Sequence, residues 1–412
     1  MSLRIFHSAD WHFGKMIGPL DRTHDFEAFL ERFLALVEAR HPQVLLLAGD
    51  IFDTSLPSNN AQKLYYTLIH RLQNTSIEAV VIAAGNHDSQ RFLDAPRALL
   101  ETMNCFIAGT RPEEQVFVLR DRDGNPRLGV AAVPYLREAD VRKGGLDYSD
   151  ADRATLFEQG VRAHYDHVYA LLEEALAGAN VPRVAMGHLF VVGSELRPGV
   201  TSAKDYGVAN VGSLNAVSSR AFGDAWDYVA LGHIHHAQTV EAPVPMRYAG
   251  APLALSFNHR HYEHSLVELT FDAAGVMHTE LLPIEQPRAF IHIEGDLAQI
   301  EAQLRETGKN HPSAYVEVHL TEGEAPVNLS EALAHLAQEV GVELIAVRNT
   351  QAMRRYQEAD AQGIRLDDFT PEEVFKLYAQ TLPIGSEEVA RYEALLSQSV
   401  KQVLAGKSVE ES

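Results

Sequence analysis

Short apolar runs recur along the chain, and each ends on a glycine followed at once by an acid, an amide or an imidazole. Val44-Leu-Leu-Leu-Ala48 runs into Gly49-Asp50, Ala79-Val-Val-Ile-Ala-Ala84 into Gly85-Asn86-His87-Asp88, and Arg183-Val-Ala-Met186 into Gly187-His188. Runs this short, apolar throughout rather than alternating, predict strands covered on both faces. Between them, residues 22–40 place Phe26, Phe29, Leu30, Phe33, Leu36 and Val37 at helical spacing. Residues 58–73 do the same with Leu64, Tyr65, Leu68, Ile69 and Leu72, so two helices are expected to cover the sheet. This alternation continues to about residue 110 and predicts a layered α/β core. Val116–Leu119 and Leu128–Val133 flank the turn-forming Arg122-Asp-Gly-Asn125 as a hairpin. A helix is expected over about 151–177, and 226–283 reads mostly as strands of a second sheet.

Beyond Leu282-Pro283 the pattern changes. Phe290–Ile293, Ala314–Leu320 and Glu343–Val347 read as strands, separated by helices at about 297–306 and 329–339, a small βαβαβ-like unit. Phe369-Thr-Pro-Glu-Glu373 is a helix start, with Thr370 as cap, Pro371 at the first helical position and glutamates in the first turn. Glu387–Leu404 then carries Val389, Tyr392, Leu395, Leu396, Val400 and Val403 at helical spacing. An apolar stripe on such terminal helices must bury itself somewhere. The 412 residues leave room for two or three domains, and the expected division is 1–285, 286–350 and 351–412.

The residues that end the apolar runs carry the chemistry. Asp10 and His12 are two apart, as are His233 and His235 in Gly232-His-Ile-His235, so each pair is expected to point to one side of an extended segment. With Asp50, Asn86 and His188, seven potential ligands come from strand ends, and a bridging Asp50 gives each of two metals a four-residue set. Mixed His, Asp and Asn ligation suits divalent ions such as Mn²⁺, Fe²⁺ or Zn²⁺ with positions open to water and substrate. Two such ions against Asp10 and Asp50 leave a charge of roughly +2 to attract a phosphate oxyanion. Each motif alone has an ordinary reading: Gly-Asp as a loop start, Asn-His-Asp as an Asx turn, His-x-His as a surface pair. Their conjunction at successive strand ends points to a two-metal phosphoesterase.

The segment His7-Ser-Ala-Asp-Trp-His-Phe-Gly14, with Gly49-Asp-Ile-Phe-Asp53, Gly85-Asn-His-Asp88, Gly187-His188 and Gly232-His-Ile-His235, resembles the calcineurin-like metallophosphoesterases. Within that superfamily it is most similar to the nuclease subunits that work beside an SMC-family ATPase of the SbcC kind. The resemblance covers most of 1–285 and implies a two-sheet β-sandwich flanked by helices, a small α+β capping domain and a C-terminal helical tail. It implies that Asp10, His12, Asp50 and His235 hold one divalent ion and Asp50, Asn86, His188 and His233 the other, Mn²⁺ foremost, with Fe²⁺ or Mg²⁺ as alternatives. His87 would face the scissile phosphate as a catalytic group, with Asp88 orienting it. His7 is left between a supporting role and simple burial, and Gly14 is expected to allow a close backbone approach. Where archaeal and eukaryotic relatives carry a second catalytic His, this chain has Asp53.

By the same resemblance the expected activity is ATP-independent 3′→5′ exonuclease action on duplex ends with endonuclease action on single strands. The ATPase partner would be held by the C-terminal helices and assist at hairpins and blocked ends, and a homodimer is implied. Stand-alone phosphatase or cyclic-nucleotide phosphodiesterase activity is the enzymatic alternative, and a metal-bound scaffold the non-enzymatic one. The net charge of −21, from 35 basic and 56 acidic residues, is unfavourable for gripping duplex DNA and suggests that a partner supplies part of the grip. The single cysteine, Cys105, excludes an intramolecular disulfide, fits a reducing cytosol and reads as core packing. The first strand starts near Leu3, leaving no room for a signal peptide, and no apolar run approaches the ~20 residues of a membrane span, so a cytoplasmic, nucleoid-associated protein without a membrane partner is expected. The run Asn258–His264 is expected to be an exposed loop.

Overall fold

The computed structural model describes residues 2–141, 150–192, 216–323, 326, 328–349, 375–376, 379, 385 and 387–398. It divides into two compact units, one of Met1–Met16 with Asp21–Pro287, the other of Ile17–Leu20 with the chain from Arg288 onward.

In chain order the first unit contains β1 (Leu3–Ser8), α1 (Thr23–Arg40), β2 (Val44–Ala48), α2 (Asn59–Leu72), β3 (Ala79–Ala83), the short α3 (Gln90–Asp94) and α4 (Arg97–Glu101), and β4 (Cys105–Ile107). There follow β5 (Val116–Arg120), β6 (Pro126–Ala132), α5 (Glu138–Val141), α6 (Asp150–Leu176), β7 (Arg183–His188), β8 (Phe190–Val192), β9 (Ala216–Ser218), β10 (Tyr228–Gly232), β11 (Gln238–Thr239), β12 (Met246–Tyr248), β13 (Ser265–Phe271) and β14 (Met277–Pro283). They build two six-stranded sheets, ordered β14-β13-β1-β2-β3-β4 and β11-β12-β10-β7-β6-β5. Strands β1 to β4 are mutually parallel, as are β6, β7, β10 and β12.

Three apolar layers hold the unit together. Alternate residues of the two sheets face each other, Ile5, Leu46 and Val81 from one and Val130, Met186 and Ala230 from the other. The remaining face of the first sheet, with Phe6, Leu45, Leu47 and Ile82, packs under Phe29, Phe33, Tyr65 and Leu68 of α1 and α2. That of the second sheet lies under Phe157, Val161, Tyr165 and Leu172 of α6. The uniformly apolar strands thus have both faces covered. Cys105 is buried here, and burial pushes its thiol up to about 12, so it is packing material.

One expectation is corrected. Residues 226–283 do not all join the second sheet: β13 and β14 return to the first, β13 pairing antiparallel with β1 from Leu3↔Phe271 to His7↔Val267. Periodicity marks a strand but not the edge it joins. Here β13 covers the edge of β1, and the more polar, largely exposed β14 forms the new rim.

The second unit contains β15 (Phe290–Gly295), α7 (Leu297–Asn310), β16 (Tyr315–Leu320), α8 (Leu329–Val340) and β17 (Glu343–Asn349), with parallel strands in that order. Asp296 caps α7, accepting from the Gln299 amide at 2.9 Å while the Gln299 side chain accepts from the Asp296 amide at 3.0 Å. The core is Ile293, Val316, Val318 and Val347 against Ile300, Leu304 and Leu333. The helix start at Phe369–Glu373 lies outside the described residues. Residues 387–398 are helical, with Tyr392 and Leu395 exposed. No helix among the described residues is long and apolar enough to cross a membrane.

Candidate metal centre

Parallel strands place their C-terminal ends on one rim. β1, β2 and β3 of one sheet and β7 and β10 of the other bring Asp10, His12, Asp50, Asn86, His188, His233 and His235 together there. The chain does not stay extended as it delivers them. β1 ends at Ser8, and Asp10, His12, Asp50 and His233 take positive φ values of 55°, 49°, 50° and 97°. The expectation that each His or Asp pair shares one side of an extended segment is therefore wrong: the pairs converge through tight left-handed turns. Such residues cost roughly 1–3 kcal/mol each and persist where the surroundings fix them. Here the loop after β1 is laced to the loop after β2, with Asp10 N donating to Gly49 O at 2.9 Å, His12 N to Asp50 O at 3.0 Å and Phe13 N to Ile51 O at 2.9 Å. The crowding leaves no space for side chains at two glycines. A Cβ at Gly85 would overlap the Asp50 carboxylate, and one at Gly232 the Ala48 carbonyl.

Asp50 is the pivot. Its Oδ2 lies 3.5 Å from His12 Nε2 and 3.2 Å from His188 Nε2. On the His12 side, His235 Nε2 is 3.2 Å from His12 Nε2 and 3.9 Å from Asp10 Oδ1. On the His188 side, Asn86 Oδ1 is 3.1 Å from His188 Nε2 and 2.9 Å from His233 Nδ1. Asn86 is exposed, and the other six donors are buried. The outward nitrogens are held as well: His188 Nδ1 is 2.8 Å from Ala48 O, and His12 Nδ1 is 3.2 Å from Asp53 Oδ1. Such outer contacts fix which ring nitrogen faces the centre.

Burial and mutual charge set the electrostatics of the donors. Burial would raise Asp50, but His188 and His12 outweigh it and hold the carboxyl far below its usual range. Burial pushes Asp10 up to about 7. Burial opposes charge on His188 as well, yet Asp50 and Asp10 push it up to about 9, while burial and His188 drive His233 down to about 3. Neighbouring groups of one kind thus titrate in opposite directions, which is what divalent cations would relieve. The donors fit two ions sharing Asp50. The His12 and His235 Nε2 atoms, 3.2 Å apart, suit a common cation better than a proton-shared cluster.

One assignment changes. Asp88 does not orient His87: its carboxylate accepts from the amides of Gly85 at 2.9 Å, Ile51 at 3.1 Å and Phe52 at 2.9 Å, pinning the loop after β3 to that after β2. His87 Nδ1 instead lies 2.8 Å from the carbonyl oxygen of Asp53. Asp53 thus sits behind both His12 and His87, and Lys15 Nζ is 3.1 Å from its carboxylate. His7 is buried, with Nδ1 3.1 Å from Tyr228 Oη and Nε2 3.2 Å from Leu231 O, so it ties β1 to β10 across the two sheets. Gly14 has φ 89°, and a Cβ there would come within 3.1 Å of Ala61 Cβ.

Two neighbours of the centre escaped the sequence reading. His259, expected in an exposed loop, is buried in the 3-10 turn Phe257–His261 with its ring 5.2 Å from that of His235; a histidine-rich polar run gives no hint of this. Tyr135 places its ring 6.3 Å from His188 and 6.1 Å from His233. It follows the end of β6, so the strand-end pattern itself could have found it.

Comparison with known proteins fits this geometry. Residues 3–237 match the calcineurin-like phosphoesterase family model, and 286–381 match the type 5 capsule protein repressor C-terminal domain. The SbcD subunit of the nuclease SbcCD from Escherichia coli K12 is 30% identical over 380 residues, covering 90% of this chain and 92% of that protein. The SbcD protein of Rhodobacter capsulatus is 33% identical over 303 residues, 69% of this chain and 70% of that one. Among solved structures, a dimetal phosphatase from Danio rerio aligns with 69% of this chain and 99% of its own at 14% identity and a TM-score of 0.39.

Proposed function

The chain belongs to the calcineurin-like phosphoesterase family and, within it, to the SbcD nucleases, and from that premise we propose that it hydrolyses phosphodiester bonds of DNA at the Asp50 rim. The observation that carries the reading is the Asp50 carboxylate, 3.5 Å from His12 and 3.2 Å from His188, shared by two half-sites. Asp10, His12, Asp50 and His235 would hold one divalent ion, and Asp50, Asn86, His188 and His233 the other. Bound there, such ions would supply an activated water and neutralise charge on the phosphate.

The chain's own groups do the rest. Asp50 sets the spacing of the half-sites, and Asp88 keeps two of the loops in place through its three amide bonds. His87 donates from Nδ1 to the Asp53 carbonyl at 2.8 Å, which leaves Nε2 to face substrate. From that position Nε2 would pass a proton to the departing oxygen. The native ion is proposed as Mn²⁺, and the activity as ATP-independent 3′→5′ exonuclease on duplex ends and endonuclease on single strands. An SbcC-like SMC ATPase would bind through the C-terminal helices. A net charge of −21 supports a division of labour in which that partner holds the DNA; a cytoplasmic, nucleoid-associated homodimer completes the proposal. Deleting 365–412 should abolish ATPase binding and spare Mn²⁺-dependent turnover of a small phosphodiester.

The direct test incubates the purified chain with Mn²⁺, Mg²⁺ or chelator on a duplex labelled separately at its 3′ and 5′ ends, beside His87→Ala. Mn²⁺-dependent release from the 3′ end, lost in the variant, is expected. Intact DNA together with rapid turnover of a phosphomonoester would replace this reading with a stand-alone phosphatase.

A further inference from the structure

The second unit carries a cluster that plays no part in the chemistry above. In the β15–β16–β17 sheet, Ile291, Ile293, Val316, Val318 and Val347 point to α7 and α8. Period-two alternation sends His292, Glu294, Glu317, His319 and Arg348 to the opposite face. Parallel register sets His292 beside Glu317 and Glu294 beside His319. Glu317 is only 9% exposed, unusual for a carboxylate on a sheet's polar face. Its Oε1 is 3.1 Å from His292 Nδ1 and its Oε2 3.8 Å from His319 Nε2, and the two imidazole centroids are 4.3 Å apart. His319 Nε2 is buried without a hydrogen-bond partner, because 3.8 Å is beyond bonding range. The Glu294 carboxylate lies 3.5 Å from the other nitrogen of His292, on the side that would hold its proton and leave Nδ1 free.

We propose that His292, Glu317 and His319 form a binding site for a divalent transition-metal ion, Zn²⁺ by its donor set, separate from the Asp50 rim. The donor atoms all lie within 4.8 Å of one another. In a tetrahedral Zn²⁺ site with bonds of about 2.0–2.1 Å, neighbouring donors are roughly 3.3 Å apart, so only the His319 ring has to close in. Two imidazoles and a carboxylate leave the fourth position to water, and this softer set ranks Zn²⁺ above Mn²⁺. The ion would join β15 to β16, two strands whose connection runs through the whole of α7, and would satisfy the orphaned His319 nitrogen. The competing account is a plain cross-strand His–Glu pairing on a polar sheet face, which binds no metal.

The full chain, loaded with excess Zn²⁺ and desalted, would be assayed for bound zinc by atomic emission beside His319→Ala and Glu317→Gln. Wild type should retain about one zinc per chain more than either variant. The same difference should persist when every protein also carries Asp50→Asn, which separates this site from the rim. His292→Gln gives a third reading should loss of the Glu317 charge disturb the sheet, and far-UV circular dichroism checks that each variant is folded. Equal zinc content in wild type and the folded variants overturns the site.

Discussion

Asp50 and Glu317 are both buried carboxylates between two imidazoles, and their surroundings could hardly differ more. Around Asp50 the partners arrive from four other strand ends in two sheets, and four donors, Asp50 among them, sit at positive φ. Around Glu317 they come from two neighbouring strands and follow from parallel register alone. The first arrangement costs backbone strain and is kept by loop-to-loop hydrogen bonds. The second is unstrained but shallow, and it must share Glu317 with Arg348, whose guanidinium nitrogen is 3.9 Å away. A strained rim can surround an ion and its substrate, whereas a flat sheet face can do little more than hold one.

The contrast breaks most visibly at Asp50. Asp50→Asn removes the shared charge from both half-sites, and hydrolysis should fall by at least roughly 10³-fold, since a bound metal pair contributes several kcal/mol to the transition state. Bound Mn²⁺, counted by calorimetry, should fall with it. A variant that kept both ions and most of its activity would remove Asp50 from the bridging position. The rim should then be separable from the group beside it. His87→Ala is expected to lower turnover by about 10²–10⁴-fold while leaving metal stoichiometry unchanged. Asp88→Ala should act differently, lowering the urea midpoint through about 1.5–3 kcal/mol for hydrogen bonds to a charged group and loosening metal binding with it. If the two variants gave matching profiles, Asp88 would belong with His87 after all.

Asp53 comes next in size. Its carboxylate orients His12, and its carbonyl receives His87. Asp53→Asn keeps the backbone carbonyl and removes the charge that His12 shares with Lys15, so metal affinity or activity should drop by about 10–100-fold, the scale of outer contacts to a metal ligand. A shift in the Mn²⁺ dependence with unchanged saturated turnover would mark it as a positioning residue for His12. A fall in saturated turnover alone would instead connect it to His87.

These effects follow the line between what was and was not legible in the chain. Apolar runs ending in Gly-Asp, Gly-Asn-His-Asp and Gly-His are local, and they exposed the strands, the helices over them and the seven donors that the rim gathers. The left-handed turns at Asp10 and His12 were not legible, because non-glycine residues give no sign of positive φ until another loop forces it. Asp88 was misread for a related reason. Its partners Ile51 and Phe52 lie some distance back along the chain, and only folding sets their amides beside it. His259 reached the rim through a buried 3-10 turn that a polar composition disguises. In the second unit the pattern showed each strand and helix described over 290–349, but the pairing of His292 with Glu317 depends on register between strands separated by a helix, which a single sequence does not specify.

The smallest expected effect lies at Arg348 and tests how the shallow site differs from the deep one. The guanidinium is 57% exposed, so solvent screens it, and its interaction with Glu317 should be worth no more than about 1 kcal/mol. Because it competes with a cation for the same carboxylate, Arg348→Ala should tighten Zn²⁺ binding at this face by roughly two- to fivefold, most clearly at low salt, where screening is weakest. Calorimetry in the Asp50→Asn background reads this directly. The rim offers no equivalent, since both imidazoles beside Asp50 are potential ligands and removing either should weaken binding. Weaker zinc binding in Arg348→Ala would mean that the arginine supports Glu317 rather than competing for it, and the face would then be an ion-pair network built on strand register.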